Sequence, residues 1–203
     1  MYQKYVKNAA DRILALFAII VLSPLLLIVA LIIKISEPKS KVLFIQKRSG
    51  QDRKAFNCYK FRSMSEEAPK NAATWELDNA EDYISPLGAF LRKTSIDELP
   101  QLFNILKGEM SFIGPRPVIL NETELLDLRE KLGATKVRPG ITGLAQISGR
   151  DNVSVEKKAE ADAEYANNVN FKTDFKLMLM TIPKVLSGEG ISEGRNDFKN
   201  EKK

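Results

Sequence analysis

The sequence predicts an α+β fold, mainly helical with a short β-hairpin, that carries an N-terminal re-entrant membrane helix-break-helix and interfacial amphipathic helices. Three observations predict it. Residues 13–33 (ILALFAIIVLSPLLLIVALII) run 21 residues without a charge, with Ser23-Pro24 at the midpoint. Residues 41–64 alternate apolar and polar on either side of a Ser-Gly turn. Residues 154–187 hold two stretches with the apolar period of a helix.

Residues 1–12 place Tyr2, Tyr5, Val6 and Ala9 beside Lys4 and Lys7, the pattern of a short interfacial helix with aromatic and cationic anchors. The apolar stretch that follows is too long for a signal peptide, and no A-x-A-like site follows it. As a helix it would be roughly 31 Å long, the thickness of a bilayer core. Pro24 removes the hydrogen bond to the carbonyl four residues back, and the Ser23 hydroxyl is placed to replace it. Both flanks are cationic: Lys4, Lys7 and Arg12 on one side, Lys34, Lys39, Lys41, Lys47 and Arg48 on the other. Positive charge stays on the cytoplasmic face, so a hairpin dipping into one leaflet suits both ends. A Pro-kinked helix crossing the bilayer is the alternative.

Glu37-Pro38-Lys39-Ser40 reads as a turn. Residues 41–48 and 54–64 read as paired strands, with Phe56, Cys58, Lys60 and Arg62 on one face of the second. Residues 65–83 are acidic and irregular, with Trp75 and Leu77 their main apolar residues. Ser85-Pro86 opens a helix to Lys93, with proline in the first turn. Ser95 to Lys107 reads as a helix closed by Gly108. Residues 109–120 are extended, 121–132 form a helix ending at Gly133, and 136–150 form a Gly- and Pro-broken stretch. Helices at 154–167 and 171–187 complete the fold. The second carries Phe171, Phe175, Met178, Leu179, Ile182, Val185 and Leu186 on one face, which either packs in the core or lies on a membrane.

Composition narrows the chemistry. The chain has 203 residues, no histidine and one cysteine, Cys58. That excludes Ser-His and Cys-His nucleophile pairs, an internal disulfide and zinc sites built on His or paired Cys. Acids, bases and nucleophiles must come from carboxylates, lysines, hydroxyls or the lone thiol. A metal would be hard and oxygen-bound, such as Mg²⁺. The mean hydropathy of −0.21 conceals the apolar segment. Charge is uneven as well: residues 1–60 hold 11 Lys+Arg against 3 Asp+Glu, while the remainder holds 20 against 23. A basic front half with an apolar run points to an anionic membrane surface and phospholipids rather than to nucleic acid.

The sharpest cluster is Ser95-Ile96-Asp97-Glu98-Leu99-Pro100. Ser95 and Glu98 have the spacing of a capping box, and acidic residues in a first turn complement the helix dipole. The same half of the chain holds Lys60, Arg62, Arg92, Lys93, Arg116 in GPRP and Arg138 in RPG. Prolines stiffen the backbone at Arg116 and Arg138, which suits bidentate phosphate binding. Without histidine, an Asp can act as nucleophile on phosphorus, provided Mg²⁺ and Arg offset the phosphate charge.

The stretches YKFRSM (59–64), FLRKTSIDELPQLFNILKGEMSFIGPRP (90–117) and KVRPGITGLAQISGR (136–150) resemble the bacterial sugar transferases, the monotopic phosphoglycosyl transferases. The resemblance covers about residues 1–187, and the length corresponds to the small, single-unit form of that family. It implies three parts: a membrane-associating re-entrant hairpin at 1–36, a cytosolic catalytic domain at 37–187 and a polar tail at 188–203. It implies that Asp97 attacks the β-phosphorus of a UDP-sugar, releases UMP and forms a phosphosugar-aspartyl intermediate. Polyprenol phosphate, typically undecaprenyl phosphate, then accepts the sugar phosphate. Glu98 would join Asp97 around Mg²⁺. Arg92 and Arg116 would contact phosphate, with Lys60 and Arg138 near the same pocket, and Ser23, Pro24 and Lys7 would serve membrane association. The implied place is the cytosolic face of a bacterial inner membrane, with later glycosyltransferases as possible partners. Asn8 and residues 85–89 lack basic residues common in the family. A membrane-bound phosphohydrolase and a non-catalytic nucleotide-sugar sensor are the competing readings.

Overall fold

A computed structural model describes residues 1–69, 80–148 and 154–187, with the side chains of 185–187 excepted. Trp75, Leu77, Gly149, Arg150 and the tail lie outside the described residues, as do the side chains of Val185 and Leu186.

The chain opens with one π-helical turn, Tyr2–Val6, that runs directly into helix α1, Lys7–Ser36. α1 is one helix through Pro24, so the expected break does not divide it in two. The reason is local. The Ser23 hydroxyl donates to the Ile20 carbonyl at 2.8 Å, and Ile20 is the acceptor that Pro24 cannot serve. Lys34 Nζ donates to the Pro38 carbonyl at 2.6 Å beyond the other end of the helix.

Strands β1 (Leu43–Ser49) and β2 (Ala55–Phe61) pair antiparallel, from Leu43 opposite Phe61 to Ser49 opposite Ala55, as the alternation predicts. The connecting turn holds Asp52 and Arg53 at φ of 52° and 58°. Arg53 is fixed there by Asp127 and Glu130, at 2.8 and 2.6 Å. Helix α2 (Pro86–Lys93) starts as expected: the Ser85 hydroxyl accepts from the Gly88 amide at 3.1 Å.

The next helix begins later than the sequence suggests. Residues Ile96–Glu98 form a 3₁₀ turn, and helix α3 covers only Gln101–Lys107, closed by Gly108 at φ 82°. Pro100 supplies no N–H, and Ser95 sits in the left-handed region at φ 56° without capping through its side chain. The capping box is therefore absent, and Glu98 is free to reach elsewhere.

Strand β3 (Ser111–Ile113) pairs in parallel with β4 (Gly140–Thr142). Between them runs helix α4, Thr123–Lys131, and after β4 come α5 (Leu144–Ser148), α6 (Val155–Asn167) and α7 (Phe171–Ser187). The glycines of GPRP and RPG let two backbones touch. A Cβ on Gly140 would lie 2.1 Å from the Gly114 amide nitrogen, and one on Gly114 would lie 2.3 Å from the Arg138 carbonyl.

α1 lies along the rest of the molecule. Ala15 joins Phe56, Cys58, Leu102, Ile105 and Met110 in one cluster; Val29 and Ile33 join Phe61 and Leu91 in another. Burial of a Val or Ile side chain stabilises by roughly 1.5–3 kcal/mol, so both halves of α1 are bound to the domain. The opposite face leaves Phe17, Ile20, Leu27, Leu31 and Ile35 exposed. Among the described residues this is the one helix long and apolar enough to cross a membrane.

The packing corrects several expectations. Lys7 is no lipid-facing cation; it is buried, 2.8 Å from Asp174 and 3.8 Å from Asp11. Arg48 donates to the Pro117 carbonyl at 3.3 Å. The apolar face of α7 is not core: Phe171, Phe175, Leu179 and Ile182 are each more than half exposed, and the helix seats Leu177 and Asp174 instead.

Candidate active site

Four pieces of chain bring the cluster together. Lys60 comes from the end of β2, Arg92 from the last turn of α2, Asp97 and Glu98 from the 3₁₀ turn, and Arg116 from the GPRP loop after β3. Ile96, next to Asp97, packs against the cluster that Val29 and Ile33 of α1 form with Phe61 and Leu91, so the carboxylate turn is tied to the same packing as the second half of that helix. Left-handed Ser95 sets this turn at a cost of about 1 kcal/mol.

Glu98 Oε1 accepts from Lys60 Nζ at 2.8 Å and from Arg116 Nη2 at 3.1 Å. Burial alone would raise its pKa, but these two cations outweigh burial and hold it well below the usual carboxylate range. Glu98 is thus a fixed anion that orients two cations, Lys60 and Arg116.

Asp97 is different. It is 6% exposed, and among the described residues its carboxyl makes no hydrogen bond or ion pair. Burial, with help from neighbouring Glu98, pushes its pKa up to about 6 against the pull of Lys60, Arg92 and Arg116. A carboxylate that cations do not fully satisfy keeps its lone pairs available as a nucleophile. Arg92 is poised in the same way. Among the described residues its Nη1 has only the Met64 sulfur, at 3.9 Å, and its enclosed Nε has no partner. An enclosed guanidinium N–H without an acceptor is costly unless a ligand completes it.

The donor set fits Mg²⁺. Among the described residues no three acidic, His or Cys side chains gather, which leaves no all-protein cage. Mg²⁺ is usually held by one or two carboxylates plus substrate phosphates and water. The Asp97 carboxyl and the neighbouring Glu98 carboxylate are two such donors.

Two expected members are elsewhere. Arg138 donates to Asp11 at 3.0 Å and to the Met110 carbonyl at 3.2 Å, at the base of α1. There it borders a cavity of about 430 Å³ together with Lys4, Lys7 and Asn8. Asp11, which sequence reasoning did not single out, has taken it. Arg62 donates to the Lys41 carbonyl at 2.7 Å and pairs with Glu66. Arg129 was also missed: its Nη1 donates to the Arg116 carbonyl at 3.0 Å. In the sequence it is one of several charges on an amphipathic helix, and no local signal separates it from the others.

Comparison with known proteins gives the family. The family model described as bacterial sugar transferase matches residues 2–188. The exopolysaccharide production protein ExoY of Sinorhizobium fredii is 37% identical over 198 residues, covering 91% of this chain and 87% of that protein. The undecaprenyl-phosphate galactose phosphotransferase of Salmonella typhimurium is 36% identical over 203 residues, covering 92% of this chain. The UDP-glucose:undecaprenyl-phosphate glucose-1-phosphate transferase of Escherichia coli is 38% identical over 186 residues, covering 88% of this chain. The chain spans only 42% and 40% of the last two.

Proposed function

The chain belongs to the bacterial sugar transferase family, and from that premise we propose that it transfers a sugar-1-phosphate from a UDP-sugar to polyprenol phosphate. The observation that carries this reading is the buried Asp97 carboxyl, without a hydrogen bond or ion pair among the described residues, set among Lys60, Arg92 and Arg116 and backed by ionised Glu98. Its relatives' names, which include undecaprenyl phosphate and UDP-glucose, support both substrate classes.

In the first half-reaction an Asp97 oxygen bonds to the β-phosphorus. The bond from that phosphorus to the bridging oxygen breaks, and UMP leaves with the electron pair. Arg92 and Arg116 hold the phosphate oxygens, and Lys60 is placed to balance charge on the departing phosphate. Mg²⁺, when bound at Asp97 and Glu98, supplies charge neutralisation for the diphosphate. In the second half-reaction a phosphate oxygen of the polyprenol phosphate bonds to the same phosphorus and displaces Asp97, giving polyprenol diphosphate-sugar. No step demands a histidine, because UMP is a stable leaving anion.

We place this chemistry at the cytosolic face of the bacterial inner membrane, with the chain entering one leaflet only. The support is the packing of α1. Its contacts with the domain run from Lys7 to Ile33, about 39 Å of helix, longer than a bilayer core is thick. A helix held at both ends on one domain does not leave that domain to cross alone. The exposed face of α7 would lie in the interface beside it. Enzymes that extend the lipid-linked sugar would act next.

The test is UMP release from a panel of UDP-sugars, with and without undecaprenyl phosphate. UMP stoichiometric with the enzyme in the absence of lipid, and sustained turnover in its presence, is the expected result. Sustained turnover without lipid would mean a hydrolase, and binding without UMP release would mean a sensor.

A further inference from the structure

The loop that carries Arg116 is held by its carbonyls. Pro115 and Pro117 have no N–H to give, so the segment can be fixed only through its acceptors and the few amides that remain. Donors arrive from four directions. Tyr165 Oη donates to the Ile113 carbonyl at 3.0 Å, the Gly140 amide to Pro115 at 2.9 Å, Arg48 Nη1 to Pro117 at 3.3 Å and the Ser49 amide to Val118 at 2.9 Å. Arg116 itself receives Arg129 Nη1 at 3.0 Å.

Arg129 is more than a donor. Its side chain is 8% exposed and lies beside Asp162 of α6, which is 1% exposed. Asp162 Oδ2 accepts from Arg129 Nε at 2.8 Å and forms an ion pair with Nη2 at 2.6 Å. Two of the three guanidinium nitrogens are locked by one carboxylate, and the third is aimed at the Arg116 carbonyl. A buried ion pair is a poor device for stability alone, since its desolvation penalty consumes most of the attraction. It is a good device for direction, because a planar guanidinium gripped on two sides cannot swing on the third.

We propose that Arg129 and Asp162 are positioning residues that act through the Arg116 backbone to fix its guanidinium over Glu98 and the diphosphate of the substrate. The inference deepens the transferase reading and rests on it for the identity of the diphosphate. Helix α6 grips the loop twice, directly through Tyr165 and indirectly through Asp162, so the arrangement of α4 and α6 sets where a phosphate is bound.

The experiment is a mutant cycle on the full chain in detergent, read by the calorimetric affinity for UDP with Mg²⁺. Arg129→Met with Asp162→Leu removes both charges together, so neither partner is left buried and unpaired. That swap should keep the thermal transition within a few degrees and weaken UDP binding about tenfold. Arg116→Ala should weaken UDP binding by at least as much. The swap in the Arg116→Ala background should add nothing, because it acts only through Arg116. Should the swap unfold the chain, Arg129→Lys is the second variant; it keeps the charge on Asp162 and removes the fork that reaches the carbonyl. A folded variant with wild-type UDP affinity, or a loss that adds to that of Arg116→Ala, overturns the proposal. UMP release by the unmodified chain is scored separately. Non-additive binding without UMP release would sink the transferase reading and leave the positioning role; UMP release with additive binding would do the reverse.

Discussion

Glu98 and Lys60 meet at 2.8 Å across 38 residues of sequence, and the same Glu98 oxygen holds Arg116 at 3.1 Å. The carboxylate thus orients two cations through one oxygen, Oε1. Glu98→Gln retains the shape and removes the charge. Lys60 and Arg116 then have Asp97 as the anion nearest to them and draw it into pairing, which lowers its pKa and its nucleophilicity. We expect UMP release to fall by roughly 10²-fold or more and the Mg²⁺ titration to shift to higher concentration. An unchanged metal titration would count against a metal-binding role for Glu98.

Asp97→Asn tests the nucleophile directly. It should abolish UMP release, by on the order of 10³-fold or more, and with it any sugar-phosphate adduct found by mass spectrometry of the intact chain. The folded protein should still bind UDP, because Lys60, Arg92 and Arg116 remain. Near-normal UMP release by this variant would refute the assignment.

The acid limb of activity follows from the same residue. The Asp97 carboxyl titrates near 6 because burial disfavours its charge. Only the ionised form attacks, so UMP release should rise with pH through about 6 and level off above it. Stability runs the other way. A folded-state pKa above the ordinary carboxylate value near 3.9 favours the protonated form, so this contribution is complete below that value and is lost as pH rises through about 6. Asp97→Asn should therefore melt higher than the unmodified chain at pH 7.5, with the difference shrinking by pH 4.5. Metal-free protein in a fluorescence melt at both pH values makes the comparison. An equal difference at the two values would show that Asp97 is not the group involved.

What could be read from the sequence followed local rules. The hairpin, α2 with its Ser85 cap, the Gly108 and Gly133 stops and the two late helices all rest on neighbours within a few residues, and they stand where expected. What was missed was decided by partners far away in sequence. Lys7 reads as a lipid-facing cation until Asp174 buries it, and Arg138 reads as a phosphate ligand until Asp11 takes it. Ser95 and Glu98 have capping-box spacing, but Lys60 and Arg116 compete for Glu98 and win. On α7 the period gives an apolar face without saying what covers it. The Asp97, Glu98, Arg92, Arg116 and Lys60 grouping was legible because several charged residues with phosphate chemistry fall within short motifs.

Topology can be tested with thiol labels. Cys58 is 3% exposed and burial pushes its thiol pKa up, so the native cysteine is a silent background. Tyr5→Cys and Lys39→Cys place single exposed thiols on the two flanks of the apolar stretch. In inverted membrane vesicles an impermeant maleimide should label both positions, since both flanks are cationic and both ends of α1 are held on one domain. Labelling of one position in inverted vesicles and the other in intact spheroplasts would establish a crossing helix.

The final test concerns the middle of α1. The Ser23 hydroxyl serves the Ile20 carbonyl because Pro24 has no N–H, and the two residues are therefore coupled although neither touches the site. In water a free carbonyl there would be solvated at little cost. In hydrocarbon it would not, and an unsatisfied acceptor costs about 1–3 kcal/mol. Ser23→Ala should thus lower the thermal transition in lipid nanodiscs by several degrees. Pro24→Ala restores a backbone N–H to Ile20, which makes the Ser23 hydroxyl redundant. In the Pro24→Ala background, Ser23→Ala should cost close to nothing, a coupling of about 1 kcal/mol or more between adjacent residues. Equal costs in the two backgrounds would mean that Ser23 does not replace the missing bond.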